Sequence, residues 1–443
     1  MASTKLTRTP GSNGNSKTWT WSAWVKLSEA DTEYVLFHNY GATGSDEVYA
    51  KIGGSSGTIE FALRNSSTYN GRLITNRKFT DVSGWYNFVF VCDTPNVTAG
   101  DRMRIYVNGV EETSFSTDTQ PSQDQTTVYN QTYEHTIGSY GSGNYFNGSM
   151  THINAIDGTA YDSSYFGSTD ATTGEWKINT SPSVTYGTNG YFILKNSNSV
   201  TDDSGNANNW TVASGTLTNT EDNPSNVFAT LNGLASNNAN STLTNGGLTH
   251  TDTGGSWLGE YTTLGAFTGK FYAEGKITDR MNYSFGVIQS GGDSVANIST
   301  ANNNLIGRWN DGWGFNGNNG TTNKKYHNNS TTDPYGEVFA DNDIFMIALD
   351  VTGGKIYFGR NGTWFDSGDP AAGTNPAFTG ETFTNSMHFA SGMENGSLTW
   401  NFGNGYFGTT AISSEGTNAS GLGKFEYDVP TGYTALSTKG LNL

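Results

Sequence analysis

Apolar and polar residues alternate with a period of two through a series of short runs, and stretches rich in Gly, Ser, Asn and Thr separate the runs. Residues 19–26 read WTWSAWVK, with Trp19, Trp21 and Ala23 on one parity and Thr20, Ser22 and Trp24 on the other, the pattern of a strand with one buried face. EYVLFHNY (33–40), TIEFALRN (58–65), WYNFVFVCD (85–93), RMRIYVNG (102–109) and GSMTHINAIDG (148–158) repeat it. No segment holds a 3.6-residue period over more than two turns, so strands and tight reversals are expected to build the core.

An internal echo divides the chain. NFVFVCD followed by RMRIYVNG in the first half matches DIFMIALDVTGGKIYFGRNG (343–362) in the second. In each, an apolar run ends in an aspartate (Asp93, Asp350), and a later run containing Ile-Tyr closes on Asn108-Gly109 or Asn361-Gly362. Asn-Gly tolerates φ > 0 at both turn positions and predicts a hairpin, so two related antiparallel sandwiches are expected. Residues 196–245 are poor in apolar side chains except Trp210, Val227, Phe228, Leu231 and Leu234. They read as a connector that packs at intervals, between domains at 1–195 and 246–443.

Composition supports this all-β reading. The chain has 443 residues, of which 57 are Gly, 13% are aromatic and only nine are Pro. Disordered chains lack aromatics, and the length suits two or three domains. With 23 Lys and Arg against 40 Asp and Glu, the net charge is −17. That argues against nucleic-acid phosphates and anionic membrane surfaces as partners. The opening MASTKLTRTPGSNGNSK lacks the apolar core of a signal peptide, and no run of eighteen apolar residues occurs, so a soluble protein made in the cytoplasm, without membrane insertion, is expected. Its Lys5, Arg8 and Lys17 make it the most basic stretch, read as an extended arm toward an acidic neighbour or as a frayed end. The single Cys92 lies in an apolar run and reads as a buried small hydrophobe.

The runs TWTWSAWVK, FTDVSGWYNFVFVCDT, DRMRIYVNG, FNGSMTHINAIDGTAYDSSYFG and TYGTNGYFILK, followed by DDSGNANNWTV, resemble in that order the laminin G or concanavalin A-like domains common in tailed-phage structural proteins, marine phages in particular. GKFYAEGKI, YSFGVIQ, DIFMIALDVTGGKIYFGRNGTWF, MHFASGMENGSLTWNFG and FEYDVPTGYTALS resemble a SPRY domain. The resemblance implies two concanavalin A-like antiparallel β-sandwich (jelly-roll) domains joined by a partly ordered connector. It also implies a structural protein on the surface of a bacteriophage virion: a tail fibre, head fibre or capsid decoration. The implied partners are capsid or tail subunits and a host cell-surface glycan, with many copies per particle, as a homo-oligomer or otherwise. A capsid cement without sugar binding, and a polysaccharide-degrading virion enzyme, are the alternatives.

Searching for chemistry narrows this. The six histidines show no metal-ligand spacing, so no metal and no cofactor are expected. Glucanases of the concanavalin A-like fold need carboxylates spaced E-x-D-x-E or E-x-D-x-x-E on one strand; Glu426-Tyr427-Asp428 has no second glutamate, and Glu29-Ala30-Asp31-Thr32-Glu33 has the spacing but spans the break between the runs 19–26 and 33–40. Serine elbows and phosphate loops are likewise unsupported, and no enzyme is expected. The loops DDSGNANN (202–209) and DGWGFNGNN (311–319) offer oxygen ligands for calcium, but without EF-hand spacing they read as plain turns. Sugar binding asks for aromatic platforms beside amides or carboxylates on loops. Tyr140, Asn144 and Tyr145 in YGSGNYFNG meet that demand, as do Arg308, Trp309, Asn310, Asp311 and Trp313 in GRWNDGWGFNGNN, with Trp364 beyond the second hairpin. For Trp309 and Trp313, core packing competes with exposed recognition, and the same loop could dock a virion subunit instead.

Overall fold

The computed structural model describes residues 4–29, 33–42, 44–53, 56–141, 143–235, 240–298, 305–318 and 322–443. Its regular structure is almost entirely β, and the α-helix found among the described residues, Asp293–Asn297, has five residues. The chain forms two compact units, Met1–Asn219 and Thr220–Leu443. Both expected Asn-Gly hairpins are present, with φ of 48° and 85° at Asn108 and Gly109 and of 47° and 84° at Asn361 and Gly362. Each turn also ties down the strand beside it, since Asn108 Oδ1 accepts the Asn87 N–H at 2.7 Å and Asn361 Oδ1 accepts that of Ile344 at 2.8 Å.

In the first unit an eight-stranded sheet runs Phe115–Thr119, Thr68–Lys78, Thr58–Asn65, Glu47–Ile52, Tyr34–Tyr40, His135–Ile137, Lys5–Arg8, Thr211–Ser214. A six-stranded sheet runs Tyr191–Ile193, Gly148–Asp157, Thr18–Leu27, Tyr86–Asp93, Met103–Val107, Val110–Glu111. One parity of each sheet meets in a core where Trp19, Trp21, Phe37, Phe61 and Phe90 interlock, with Trp19 stacked on Tyr129 at 4.3 Å. Cys92 is buried in the same core.

Two expectations change here. The basic opening is neither arm nor frayed end from Lys5 onward: Lys5–Arg8 pairs on both sides, with His135–Ile137 and Thr211–Ser214, and Lys5 Nζ lies 3.1 Å from Glu134. A strand with neighbours on both edges satisfies backbone donors that a free arm would leave to water. The stretch expected as a connector divides between the units. Trp210, 4% exposed, completes the first core, whereas Phe228, Ala229 and Leu231 are buried in the second unit.

The second unit pairs a nine-stranded sheet, with Lys270–Asp279 and Ile344–Asp350 among its strands, against a six-stranded sheet containing Asn282–Gln289 and Met387–Glu394. Phe285, Phe345 and Trp400 lie in the core between them. The other face of the nine-stranded sheet is covered by the C-terminal segment. Phe425, Val429 and Tyr433 pack on Tyr272, Met346 and Tyr357, and Thr434–Ala435 pairs in parallel with Phe271 and Tyr272.

Glu274 fastens this cover. Fully buried, it accepts the backbone N–H groups of Glu426 at 2.9 Å and Tyr427 at 2.8 Å and the Tyr272 hydroxyl at 2.8 Å. Desolvation outweighs these donors and pushes its pKa up to about 7. The folded protein therefore takes up a proton relative to the unfolded chain between pH of about 4.5 and 7, and the group's contribution to stability falls as pH rises through that window. In Glu274→Gln, one backbone donor loses its acceptor at a cost of about 1–3 kcal/mol, and the titration disappears. Urea unfolding at a series of pH values should show the wild-type advantage narrowing from pH 5 to pH 8; a constant gap would contradict this reading.

Candidate functional site

In the first unit, the face of the eight-stranded sheet turned away from the core carries the densest set of functional groups. On Glu47–Ile52, Val48, Ala50 and Ile52 enter the core while Glu47, Tyr49 and Lys51 point outward; on Thr58–Asn65, Ile59, Phe61 and Leu63 enter while Glu60 and Arg64 point outward. Two irregularities complete the face. Val35 opposes Lys51 but Phe37 opposes Ala50, so Leu36 is an extra residue, after which His38 pairs with Tyr49 and Tyr40 with Glu47. Leu63 opposes Gly71 but Arg64 opposes Tyr69, so Asn70 is extra and Tyr69 joins the outer side. A bulge shifts the side-chain parity by one, and these two bring His38, Tyr40 and Tyr69 to the same face as the charged residues.

The charges form a connected grid. Glu47, 3% exposed, pairs through Oε1 with Arg64; Glu60, 8% exposed, accepts from Arg72 Nε at 2.8 Å and from the Tyr49 hydroxyl at 2.7 Å. Lys51 lies 3.7 Å from Glu60 and 3.0 Å from Glu33. Tyr69 packs against both guanidiniums, with Arg72 at 4.3 Å and Arg64 at 5.2 Å from its ring centre, and its hydroxyl lies 3.2 Å from that of Tyr49. His38 is buried, its Nε2 3.6 Å from Glu47, and neither ring nitrogen has a hydrogen-bond partner. Desolvation pulls its pKa down to about 3, so the imidazole is neutral at pH 7.

The glycine-rich loop singled out in the sequence closes over this grid. Tyr140 donates its hydroxyl to Glu47 and lays its ring 4.3 Å from His38, with Tyr40 and Tyr49 at 5.7 and 5.9 Å. Asn144 donates to Glu33 at 2.6 Å. Tyr145 is half-buried in the same loop. Sequence reading found Tyr140 and Asn144 but missed His38, Glu47, Glu60, Arg64, Tyr69 and Arg72. The one available signal was the charge alternation in EVYAK and IEFALR, where acidic and basic residues share a parity.

The second proposed cluster does not hold together as one surface. Trp313 is 2% exposed, stacked on His327 at 4.8 Å with Phe383 at its edge; it is core, not a recognition residue, because its strand turns that parity inward. Asp311 is also buried, its carboxylate accepting the Ser294 N–H at 2.9 Å and hydroxyl at 2.6 Å, a cap for the short helix and not a sugar contact. Trp364 packs with Tyr272 and Tyr357 under the C-terminal cover. Asn310 is exposed and Arg308 and Trp309, like Trp364, are half-buried, with the Arg308 guanidinium 5.7 Å from the Trp309 ring centre. The recess beside Trp309, lined by Ile288, Ser294, Ile298 and Ile306, has about 10 Å³ of free volume, room for one water and not for a sugar ring.

Other candidates are absorbed by structure. Asp202 in the first Asp/Asn-rich loop accepts backbone N–H groups from Phe192, Ser204 and Asn208 and the Ser204 hydroxyl, all within 2.8–2.9 Å, so donors occupy the oxygens a cation would need. Glu426 receives the Ser413 N–H and Asp428 that of Thr417. Glu47 and Glu60 are the buried acids of the outer face. Because Glu60 sits opposite Lys51, four residues along from Glu47, their Cα atoms stand roughly 14 Å apart by strand rise and spacing.

Residues 2–164, which include every residue of this face and its loop, match the Laminin_G_3 family model, the concanavalin A-like lectin/glucanases superfamily. The all-β, layered antiparallel architecture agrees with that match. A search of curated proteins returned no match. Among solved structures, the chain is similar to the TRIM65 PSpry domain, with 17% identity over 39% of this chain and 91% of that one at a TM-score of 0.29. It is also similar to the SPRY domain of human HERC1, with 16% identity over 36% and 91% at 0.26, and to stonustoxin, with 13% identity over 39% and 28% at 0.30. None of these three likenesses says what this chain binds.

The two tryptophans of the second cluster should separate in unfolding measurements. Trp313→Ala empties a packed site and should cost about 3–5 kcal/mol, whereas Trp309→Ala, at a partly exposed position, should cost under about 1.5 kcal/mol; equal losses would contradict the assignment.

Proposed function

We propose that this protein is a non-catalytic, glycan-binding structural protein displayed on the surface of a bacteriophage particle, with the outer face of the first unit as its sugar contact. The observation that carries the sugar contact is the grid of Tyr40, Tyr69 and Tyr140 around ion-paired Glu47, Glu60, Arg64 and Arg72 on a lectin/glucanase-type fold. Aromatic faces suit the apolar C–H side of a sugar ring, and amide and guanidinium donors suit its hydroxyls. The ion pairs that hold Glu47 to Arg64 and Glu60 to Arg72 and Lys51 favour binding over hydrolysis. The order of motifs, laminin G-like and then SPRY-like, supports the virion reading, and with it capsid or tail subunits as partners and the particle surface as the location.

Binding by such a face is weak for each site, and many copies on one particle convert it into useful avidity. The second unit then serves for docking on neighbouring virion proteins, and Arg308, Trp309 and Asn310 are its candidates for that contact.

A glycan array probed with the full chain should show binding that falls about tenfold or more in Tyr69→Ala, an aromatic truncation on an exposed platform, and stays unchanged in Trp309→Ala. Loss in Trp309→Ala alone would move the site to the second unit. Absence of binding to any glycan would favour a capsid cement, and release of reducing ends from a bound polysaccharide would make the protein an enzyme.

A further inference from the structure

We infer that the ligand of the outer sheet face is a neutral glycan, neither an acidic polysaccharide nor an amino-sugar polymer. This rests on the sugar-binding reading above and adds the ligand's charge class.

The first ground is the charge pairing of the face. Glu33, Glu47 and Glu60 supply three negative charges and Lys51, Arg64 and Arg72 three positive ones, so the sum is zero, and each of the six lies in an ion pair with another of the set. His38 adds no charge. An acidic sugar that takes Arg64 or Arg72 as its ion-pair partner competes with Glu47 or Glu60 for that guanidinium and weakens the pairing of a buried carboxylate. An ammonium group reaching Glu47 or Glu60 competes with the guanidinium already paired there. The paired face therefore resists charged ligands of either sign.

The second ground is independent of the first. The whole chain carries −17, and a surface of that sign repels polyanions before any contact is made. What the face still offers is suited to hydroxyls and ring faces: the Tyr69 ring, 37% exposed, the half-exposed rings of Tyr40 and Tyr140, the outer edges of Arg64 and Arg72, and the exposed Asn144 amide. Hydrogen bonds from guanidiniums that keep their carboxylate partners do not require the ion pairs to open.

The test uses the full chain and three immobilised oligosaccharide classes: neutral hexose oligomers, uronate oligomers of matched linkage, and glucosamine oligomers. Neutral oligomers should bind, with the uronate series at least about tenfold weaker, and affinity should change less than about twofold between about 50 and 300 mM salt, since no net charge is neutralised. Tyr69→Ala should lose about tenfold. Glu60→Gln, checked for folding by its melting transition, releases Arg72 and should raise uronate binding relative to neutral. Preference for uronate or glucosamine oligomers, or a steep fall with salt, overturns the inference while leaving sugar binding intact. No binding in any class, or binding that Tyr69→Ala leaves unchanged, overturns the sugar-face reading beneath it.

Discussion

A carboxylate withdrawn from water must be matched by donors or a cation, and this requirement organises both units. In the first, Glu47 and Glu60 lie on the outer side of a sheet, where Tyr140, Tyr69 and the arginines shield them. Register supplies the partners: Glu47 is directly opposite Arg64, and Glu60 directly opposite Lys51. Cross-strand neighbours on one face stand about 5 Å apart, close enough for long side chains to pair without distortion. Because the pairing is set by the ladder, the polar grid is as rigid as the sheet beneath it.

The second unit meets the same requirement differently. Glu274 has no ion-pair partner among the described residues and relies on two backbone N–H groups, a phenol and the Asn401 amide. The backbone donors belong to the segment that covers the sheet, so the carboxylate is bound to the cover as well as buried by it. Hydrogen bonding without an ion pair leaves Glu274 holding its proton far more readily than a solvated glutamate.

The two sandwiches share local devices more than they share sites. The Asn-Gly turn has the same handedness and the same side-chain tie to the adjacent strand in each. Their outer faces differ: one presents charge and tyrosine, the other is sealed by Phe425, Val429 and Tyr433 over Tyr272 and Tyr357.

The fold was legible in the chain because period-2 alternation and Asn-Gly steps are local: each strand's two faces and each hairpin's reversal are decided by residues within a few positions. Tyr140 and Asn144 were legible for the same reason, as polar and aromatic residues in a glycine-rich loop. The rest of the site was not. His38, Tyr40 and Tyr69 share a face only because Leu36 and Asn70 bulge, and a bulge is a property of two paired strands. Likewise Trp313 and Trp309, four residues apart in one motif, part company only when a neighbouring sheet is there to take one of them into its core. Alternation along a strand is written in its own residues, but which side faces solvent, and which charge finds which partner, is settled by register with strands that the local sequence does not name.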